Sequence, residues 1–159
     1  MNIRIGFGFD VHAFAKGRAL WLGGVRIDHP VGLIGHSDAD VLIHAICDAL
    51  LGAANMRDIG FHFPDSDNQY KDVDSKLLLQ ETMVLLRKAG YELGNIDSTI
   101  VAEQPKLNPY IPLMQQTLAR LIGVDEIAIS IKATTSEKLG FTGRNEGMAA
   151  YATVLIIKN

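Results

Sequence analysis

Runs of alternating and continuous apolar residues predict strands at both ends of the chain and near its middle. The first strand runs through Phe9 and contains Gly6 and Gly8, which would let another backbone or a ligand approach closely. Residues 20–27 are typical of a hairpin that turns at the Gly23-Gly24 pair, because glycine accepts positive φ. Further strands are predicted over residues 96–103, 127–133 and 148–157.

Helical patterns separate these strands. The first helix is predicted to begin at Ser37, because a serine followed three residues later by Asp40 resembles a capping box, and it runs to about Ala54. Asn108 is expected to cap a later helix that has Pro109 at its first position. The later helices are predicted over residues 75–90 and 109–123, with an aspartate-rich loop over residues 61–74.

The last strand, residues 148–157, is apolar on both faces and must therefore be covered on both sides. Helices can cover one side, and another subunit could cover the other. The chain shows no repeat and no linker. We therefore predict one α+β domain over residues 1–159, with a mixed β-sheet, helices packed on one of its faces and a small additional hairpin.

Composition narrows the classes of partner. The chain has 159 residues, 48% of them hydrophobic, and a formal net charge of −3. This charge offers no general attraction to nucleic acid or to an anionic membrane, and we expect neither as a partner. If the ligand carries phosphates, metal ions must supply much of the local positive charge.

The only cysteine, Cys47, excludes an intramolecular disulfide and a thiolate zinc cluster, and its apolar neighbours indicate a packing role. The sequence has no apolar stretch long enough to span a bilayer, and its amino terminus lacks the features of a signal peptide. We therefore expect a cytoplasmic bacterial protein, or the mature form of an organellar one.

Three side chains in the first third of the chain could bind a metal ion. Asp10 and His12 lie two residues apart on an extended segment, so they project from the same face. His44, inside the first predicted helix, is the leading candidate for a third ligand. Carboxylate and imidazole suit zinc, and three protein ligands leave one tetrahedral position open, as in catalytic sites.

The first helix also carries two acids that could support this site. Asp40, His44 and Asp48 share one helical face, so either acid could orient the second nitrogen of His44. The alternative is a solvated polar stripe that includes a capping acid. The residues alone leave both interpretations open.

Two further loops could bind phosphate. His36 precedes the helix terminus, where unpaired amides can hold an anion, although it could equally be an exposed loop histidine. Residues 132–144 are rich in hydroxyls, glycine and charge, and Glu137 there could bind a hard ion such as magnesium. The alternative is an ordinary connection between strands.

The chain resembles the 2-C-methyl-D-erythritol 2,4-cyclodiphosphate synthase family, and the matching motifs span nearly its whole length. They are, in family order and with family spacing, Gly8-Phe-Asp-Val-His12, His36-Ser-Asp-Ala-Asp40, His44, Asp48-Ala-Leu-Leu-Gly52, Asp58-Ile-Gly60, Phe63-Pro-Asp65, Pro105-Lys106 and Lys132-Ala-Thr-Thr-Ser-Glu137-Lys-Leu-Gly-Phe-Thr-Gly-Arg144.

The resemblance implies a homotrimer with active sites between adjacent subunits, which would cover the second face of the last strand. It implies zinc at Asp10, His12 and His44, and magnesium or manganese at Glu137. It also implies that His36 and Thr135 stabilise the transition state. Substrate contacts are implied for Asp10, His12, His36, Ser37, Asp58, Ile59, Gly60, Phe63, Pro64, Asp65, Ser66, Asp67, Ala102, Pro105, Lys106, Leu107, Asn108, Ala133, Thr134, Thr135, Glu137, Phe141 and Arg144.

The implied reaction is an intramolecular cyclisation. The 2-phosphate of 4-diphosphocytidyl-2-C-methyl-D-erythritol 2-phosphate attacks the β-phosphorus of the same molecule and expels CMP. Two rival interpretations use the same residues: a metal-dependent phosphohydrolase that activates water, and a non-catalytic trimer that binds nucleotide or isoprenoid phosphates. Asn145 and Tyr151 differ from some relatives near the expected threefold axis, so an isoprenyl-phosphate cavity is not part of the expectation.

Overall fold

The computed structural model describes residues 2–158, and long strands alternate with helices through them. In chain order the strands are β1 (Ile3–Lys16), β2 (Leu20–Leu22), β3 (Val25–Ile27), β4 (Val31–Leu33), β5 (Tyr91–Val101), β6 (Ile129–Thr134) and β7 (Gly147–Lys158). The α-helices are α1 (Val41–Ala53), α2 (Ile59–His62), α3 (Ser75–Lys88), α4 (Ile111–Ile122) and α5 (Gly140–Gly143).

Five strands form the main sheet, in the order β4-β1-β7-β5-β6. β7 pairs antiparallel with both β1 and β5, whereas β5 and β6 run parallel. The separate β2-β3 ribbon is the predicted hairpin, and Gly23 and Gly24 both have positive φ at its turn. The predicted α+β class, with a mixed sheet and an additional hairpin, is confirmed.

The helices lie on one face of the sheet, and α1 packs directly on the backbone of β1. A Cβ added to Gly8 would lie 1.9 Å from the carbonyl oxygen of Ala45, and one added to Gly6 would lie equally close to that of Ala49. Only glycine permits an approach of this kind. The two glycines predicted to admit a neighbouring backbone therefore set the height of α1 above the sheet.

The predicted start of the first helix was wrong by three residues. α1 begins at Val41, and its cap is Asp40, whose carboxylate accepts a hydrogen bond from the backbone N–H of Ile43 at 3.0 Å. Ser37 lies before the helix, and its hydroxyl accepts from the Ala39 N–H instead. Asp40 rather than Ser37 is the cap because its carboxylate lies at the positive helix end and reaches a first-turn N–H of α1.

Other boundaries differ from the sequence prediction where local contacts prevail. β1 continues to Lys16 because it pairs first with β7 and then with β4. β5 begins at Tyr91, immediately after a turn at Gly90, rather than at residue 96. Residues 61–74 were predicted to form a loop, but α2 ends within them and Asn68–Tyr70 form a 3₁₀ turn. A further 3₁₀ turn at Asn108–Tyr110 precedes α4.

Asn108 does not cap α4, the third of the helices predicted from the sequence. Leu107 precedes the 3₁₀ turn and makes no capping hydrogen bond through its side chain. The carboxyl end of that helix was predicted correctly, because Gly123 adopts the left-handed conformation with φ 82° and its N–H bonds to Ala119. This is the usual glycine termination of a helix.

The second face of the sheet is apolar and exposed in the single chain. Phe9 packs against Tyr151 of the neighbouring strand with ring centroids 5.0 Å apart, yet Phe7 remains 64% and Ile5 71% exposed. Contiguous exposed apolar faces are typical of interaction surfaces. Among the described residues, no helix is long and apolar enough to cross a membrane.

Gly8→Ala should destabilise the protein, because the new methyl group would overlap the α1 backbone rather than a flexible side chain. The expected loss in free energy of unfolding is about 1–3 kcal/mol or more, measured by urea denaturation. Gly52→Ala is the matched control, since an added Cβ there meets no atom within 4 Å and alanine favours helix. Equal stability of the two variants would contradict the close contact.

Candidate active site

Asp10, His12 and His44 bring three ligand atoms to one point between β1 and α1. Asp10 Oδ2 lies 2.9 Å from His12 Nε2 and 3.0 Å from His44 Nδ1, and the two nitrogens are 3.1 Å apart. The predicted alternation holds, because both β1 residues face the helix that carries His44. These are the residues in the described part of the chain that could hold a metal ion as a group.

The imidazole of His12 is oriented by the backbone. Its Nδ1 lies 2.8 Å from the carbonyl oxygen of Ile34, which can only accept, so Nδ1 carries the proton and donates it. In the neutral ring Nε2 then presents a lone pair toward Asp10 and His44. The ring is therefore held in the tautomer that a metal requires.

The prediction that Asp40 or Asp48 orients His44 was wrong. His44 Nε2 lies 2.9 Å from Ser75 Oγ and 3.1 Å from Ser37 Oγ. Asp48 instead accepts from the N–H of Ile59 at the start of α2. A shared helical face is not sufficient here, because each acid is already bonded to a backbone N–H.

Asp40 joins the hairpin to α1. Besides the Ile43 N–H, its carboxylate accepts from the N–H of Gly23 at 2.9 Å and of Gly24 at 2.7 Å. Complete burial, together with the charge of Asp38, raises the pKa of Asp40 despite these hydrogen bonds. Asp40 is thus a structural acid that fixes the turn of the hairpin.

Burial and the two histidines shift the pKa of Asp10 in opposite directions. Burial alone would raise the pKa of its carboxyl, but hydrogen bonds and charges from His12 and His44 outweigh that and lower the pKa to about 2. Burial likewise opposes protonation of His12, but the hydrogen bond that the protonated ring donates to the Asp10 carboxylate outweighs it and raises the pKa of the imidazole. Asp10 therefore remains ionised and is available as an anionic ligand.

The donor set fits a zinc ion. Bonds of about 2.0–2.2 Å place tetrahedral ligand atoms about 3.3–3.6 Å apart, so the three atoms would separate by roughly half an ångström on binding. One carboxylate and two neutral imidazoles match a catalytic zinc shell.

The triad lines a cleft with a volume of about 450 Å³. Nine of the predicted substrate contacts are among its lining residues. The lining comprises Asp10, His12, Gly35, His36, Ser37, His44, Ile59, Gly60, Phe63, Pro64, Asp65, Tyr70, Val73 and Leu78.

His36 is one of the residues that line this cleft. Its Nε2 is buried and has no hydrogen-bond partner among the residues that the structure describes. A buried nitrogen of this kind is costly unless a ligand or water completes it. The geometry therefore favours an anion-binding role for His36 over the exposed loop histidine that the sequence left open.

A second, smaller pocket of about 210 Å³ lies where β5 and β6 end side by side. It shares no lining residue with the first cleft. All of its lining residues except Glu103 are among the predicted substrate contacts. The lining comprises Ala102, Glu103, Pro105, Lys106, Leu107, Asn108, Ala133, Thr134 and Thr135.

The turn after β6 presents Thr135 and Glu137 next to the second pocket. Thr135 Oγ1 donates to Glu137 Oε1 at 2.9 Å, and Glu137 and Lys138 both have positive φ. Glu103 supports this turn, because its carboxylate accepts from the backbone N–H of Ser136 at 3.0 Å. It accepts a longer bond from that of Lys138 as well.

The remaining predicted substrate contacts lie outside the linings of both pockets. Asp58 caps α2 by accepting from Phe61 N–H, and Asp67 likewise caps the following 3₁₀ turn. Arg144 pairs with Glu146 through two hydrogen bonds. The predicted residues that neither lining includes are Asp58, Ser66, Asp67, Glu137, Phe141 and Arg144.

Sequence reasoning missed Ser75 and Glu103. Ser75 begins α3 and is fully buried against His44, but nothing in its local sequence connects it to a histidine 31 positions away. Glu103 lies two residues before Pro105, between predicted substrate contacts, and nothing in its local sequence points to the turn after β6. Only the pairing of β5 with β6 brings its carboxylate to the turn after β6.

The chain belongs to the YgbB family, whose model matches residues 3–157. It is 72% identical over 156 residues to 2-C-methyl-D-erythritol 2,4-cyclodiphosphate synthase of Parabacteroides distasonis, covering 98% of this chain and 97% of that protein. The synthase of Bacteroides thetaiotaomicron is 65% identical over the full length of both chains. The predicted family is confirmed.

Solved structures show the same fold. The bifunctional IspDF from Campylobacter jejuni has a TM-score of 0.95 and 46% identity over 99% of this chain, which spans 42% of that longer protein. A CDP complex of IspF from Plasmodium falciparum has a TM-score of 0.87 and 34% identity, covering 99% of this chain and 97% of that one. The second relative shows that a chain of this fold binds a cytidine nucleotide.

Asp40→Ala should destabilise the protein without weakening zinc binding by the folded state. The loss of a helix cap and of the acceptor for two further N–H groups should cost about 2–4 kcal/mol in free energy of unfolding. Chemical denaturation and chelator competition at a temperature where the variant is folded measure the two quantities. A much weaker zinc affinity with unchanged stability would restore Asp40 as a support for His44.

Proposed function

We propose that this chain converts 4-diphosphocytidyl-2-C-methyl-D-erythritol 2-phosphate into 2-C-methyl-D-erythritol 2,4-cyclodiphosphate and CMP. The observation that carries the proposal is the convergence of Asp10, His12 and His44 in the lining of a cleft that His36, with its buried and unpartnered Nε2, also lines. Its support is membership of a family whose relatives at 65–72% identity bear the name of that synthase.

The chemistry explains why the cleft contains donors and metal ligands rather than a nucleophilic side chain. The 2-phosphate attacks the β-phosphorus, an eight-membered ring closes and the bond to CMP breaks. The attacking phosphate is already anionic, so no general base is needed. The barrier arises from repulsion between anions and from the entropy of closing the ring, and a cleft that holds the substrate curled lowers the second.

Hydrogen-bond donors would stabilise the charge that develops on the phosphoryl oxygens. His36 is assigned this role in the first cleft, because its buried Nε2 lacks a partner among the described residues. Thr135 is assigned the same role from the second pocket, with its hydroxyl beside Glu137. A fixed donor such as His36 favours the transition state because it needs no reorganisation, whereas the Thr135 hydroxyl must turn from Glu137 to the substrate.

Asp10, His12 and His44 are proposed to hold zinc, and Glu137 to help hold magnesium or manganese. When bound, these ions would polarise phosphate oxygens and neutralise part of the substrate charge. The chain has a net charge of −3, so the protein itself supplies little of that positive charge. Asp10 supplies an ionised ligand, since its pKa is lowered to about 2 against the opposing effect of burial.

The substrate is proposed to lie across the two pockets. Its methylerythritol phosphate end would contact His36, Ser37 and residues 63–67, and Asp58 to Gly60 would contact the ribose. The cytosine ring would occupy the second pocket, which is built largely from backbone between Ala102 and Asn108. Phe141 and Arg144, which line neither pocket, stay predictions from the resemblance.

The two pockets of one active site are proposed to come from adjacent subunits of a homotrimer. Within one chain they lie at the same end of the sheet but on different strands, β1 for the metal ligands and β5-β6 for the second pocket. The exposed apolar face of β1 and β7 supports the assembly, because contact between sheets would bury side chains such as Phe7 and Tyr151.

Phe7→Asp should shift the protein from trimer to monomer in sedimentation velocity, because it places a charge on the proposed contact face. Activity should fall with it, since each chain would retain only half of each site. Ile127→Asp is the control, because that side chain is 97% exposed and lies outside the described strands. A parent protein that sediments as a monomer would contradict the assembly.

The experiment that tests the activity is product analysis by phosphorus NMR. Purified zinc-loaded protein is incubated with the cytidyl substrate and magnesium or manganese. We expect the cyclic diphosphate and CMP to appear together. A linear bisphosphate with CMP would show that water is the nucleophile and that the protein is a phosphohydrolase, and tight CDP binding without turnover would support a binding module.

Variants of the triad provide the matched test of the metal site. Asp10→Asn, His12→Ala and His44→Ala should each lower bound zinc and turnover together, and removal of zinc by a chelator should reproduce the loss in the parent. Metal analysis of the same samples measures both effects. Full zinc content with normal turnover in any variant would remove that residue from the site.

A cytoplasmic location is proposed as well. It agrees with the absence, among residues 2–158, of a helix that could cross a membrane, and with the phosphorylated substrate. Fractionation of the producing cell would test it.

A further inference from the structure

His44 contacts two serine hydroxyls on the side of its ring that faces away from Asp10. Its Nδ1 lies 3.0 Å from Asp10, and its Nε2 lies 2.9 Å from Ser75 Oγ and 3.1 Å from Ser37 Oγ. A metal bound beside Asp10 uses the lone pair of Nδ1, so the ring proton must be on Nε2. One of the two hydroxyls must therefore accept a hydrogen bond from His44.

Asp38 determines which way the Ser75 hydroxyl points. Ser75 Oγ donates to Asp38 Oδ1, and the Ser75 backbone N–H donates to Asp38 Oδ2 at 3.0 Å. A carboxylate can only accept, so the hydroxyl hydrogen of Ser75 is used on Asp38 and its lone pair remains for His44. The hydrogen bonds thus run in one direction, from His44 to Ser75 to Asp38.

Ser37 does not provide an equivalent connection. Its hydroxyl accepts from the Ala39 N–H at 3.2 Å and lies 3.5 Å from Ser75 Oγ. Asp38 is the carboxylate that the Ser75 hydroxyl reaches, and Ser75 is fully buried, so water does not compete for these contacts. The fixed path from His44 to a carboxylate therefore passes through Ser75.

We propose that Asp38 and Ser75 are positioning residues that fix the tautomer and orientation of His44 for metal binding. The inference rests on the proposed metal site and adds a function for two residues outside it. A hydrogen-bonded carboxylate behind a metal-bound imidazole makes the ligand nitrogen more basic, and loss of such a partner typically weakens metal binding 10–100-fold. Here a serine hydroxyl extends the connection.

The same contacts connect the metal site to the segment that lines the cleft. The backbone N–H of Asp38 donates to the Val73 carbonyl at 3.1 Å, and the N–H of Asp72 donates to the His36 carbonyl at 2.8 Å. Ser75 follows this segment at the start of α3. Backbone hydrogen bonds at Asp72 and Val73 thus join the end of that segment to the residues that precede α1.

The test compares zinc affinity in the parent, Ser75→Ala, Asp38→Asn, the double variant and Ser98→Ala. Ser98 is a buried serine that donates to the Ser130 carbonyl on another part of the sheet, so its variant controls for loss of a buried hydroxyl. Affinity is measured by competition with a chromophoric chelator, and ligand geometry by the visible spectrum of the cobalt-substituted protein. Circular dichroism melts verify that each variant is folded.

Ser75→Ala should bind zinc 10–100-fold more weakly than the parent and change the cobalt spectrum. Asp38→Asn should weaken binding less, and the double variant should bind no more weakly than Ser75→Ala, because both changes interrupt one path. Ser98→Ala should match the parent. Parent-like zinc affinity of Ser75→Ala would overturn the proposed path from His44 through Ser75 to Asp38. Losses of zinc affinity that add in the double variant would overturn it as well.

The outcomes distinguish a failure of the proposed positioning role of Ser75 and Asp38 from a failure of the proposed function. A parent protein that binds no zinc would contradict the metal site itself. If the parent binds zinc and forms the cyclic product, but Ser75→Ala and Ser98→Ala have the same zinc affinity, only the positioning role of Ser75 and Asp38 is contradicted.

Discussion

The close contact between α1 and β1 is the constraint on which the rest of the structure depends. The helix packs on strand backbone at Gly6 and Gly8, where any larger side chain would overlap the carbonyls of Ala45 and Ala49. The distance between helix and sheet is therefore set by backbone atoms rather than by adaptable side chains. His44 is next to Ala45, so this close approach lets its side chain reach Asp10, two residues after Gly8 on β1.

Around this contact, the carboxylates of two aspartates join segments that are distant in sequence. Asp40 holds the hairpin to the helix start, and Asp38 holds the start of α3 to the same region. Each carboxylate accepts several N–H or O–H groups, so neither is left unpaired in a site of low dielectric. The loops of the cleft are thus fixed by hydrogen bonds to the segment that precedes His44.

Periodicity and residue chemistry predicted much of this arrangement. Alternation along the first strand placed Asp10 and His12 on one face, and helical spacing pointed to His44 as the third member of the cluster. The partners of His44 could not be predicted in this way. Ser75 reaches it only through the packing of α3 against α1, and the acids that share its helical face bond to backbone instead. Element ends shifted for the same reason, because pairing and caps outweighed local pattern.

The exposed apolar face of β1 and β7 connects the chemistry of one chain to the number of chains around it. If the two halves of each site come from different subunits, dilution removes the site before any chain unfolds. Turnover per chain would then rise with protein concentration until assembly is complete, and the kinetic order in enzyme would exceed one below that point. Side chains such as Ile5 and Phe7, which contact no substrate, would set the concentration at which the enzyme becomes active.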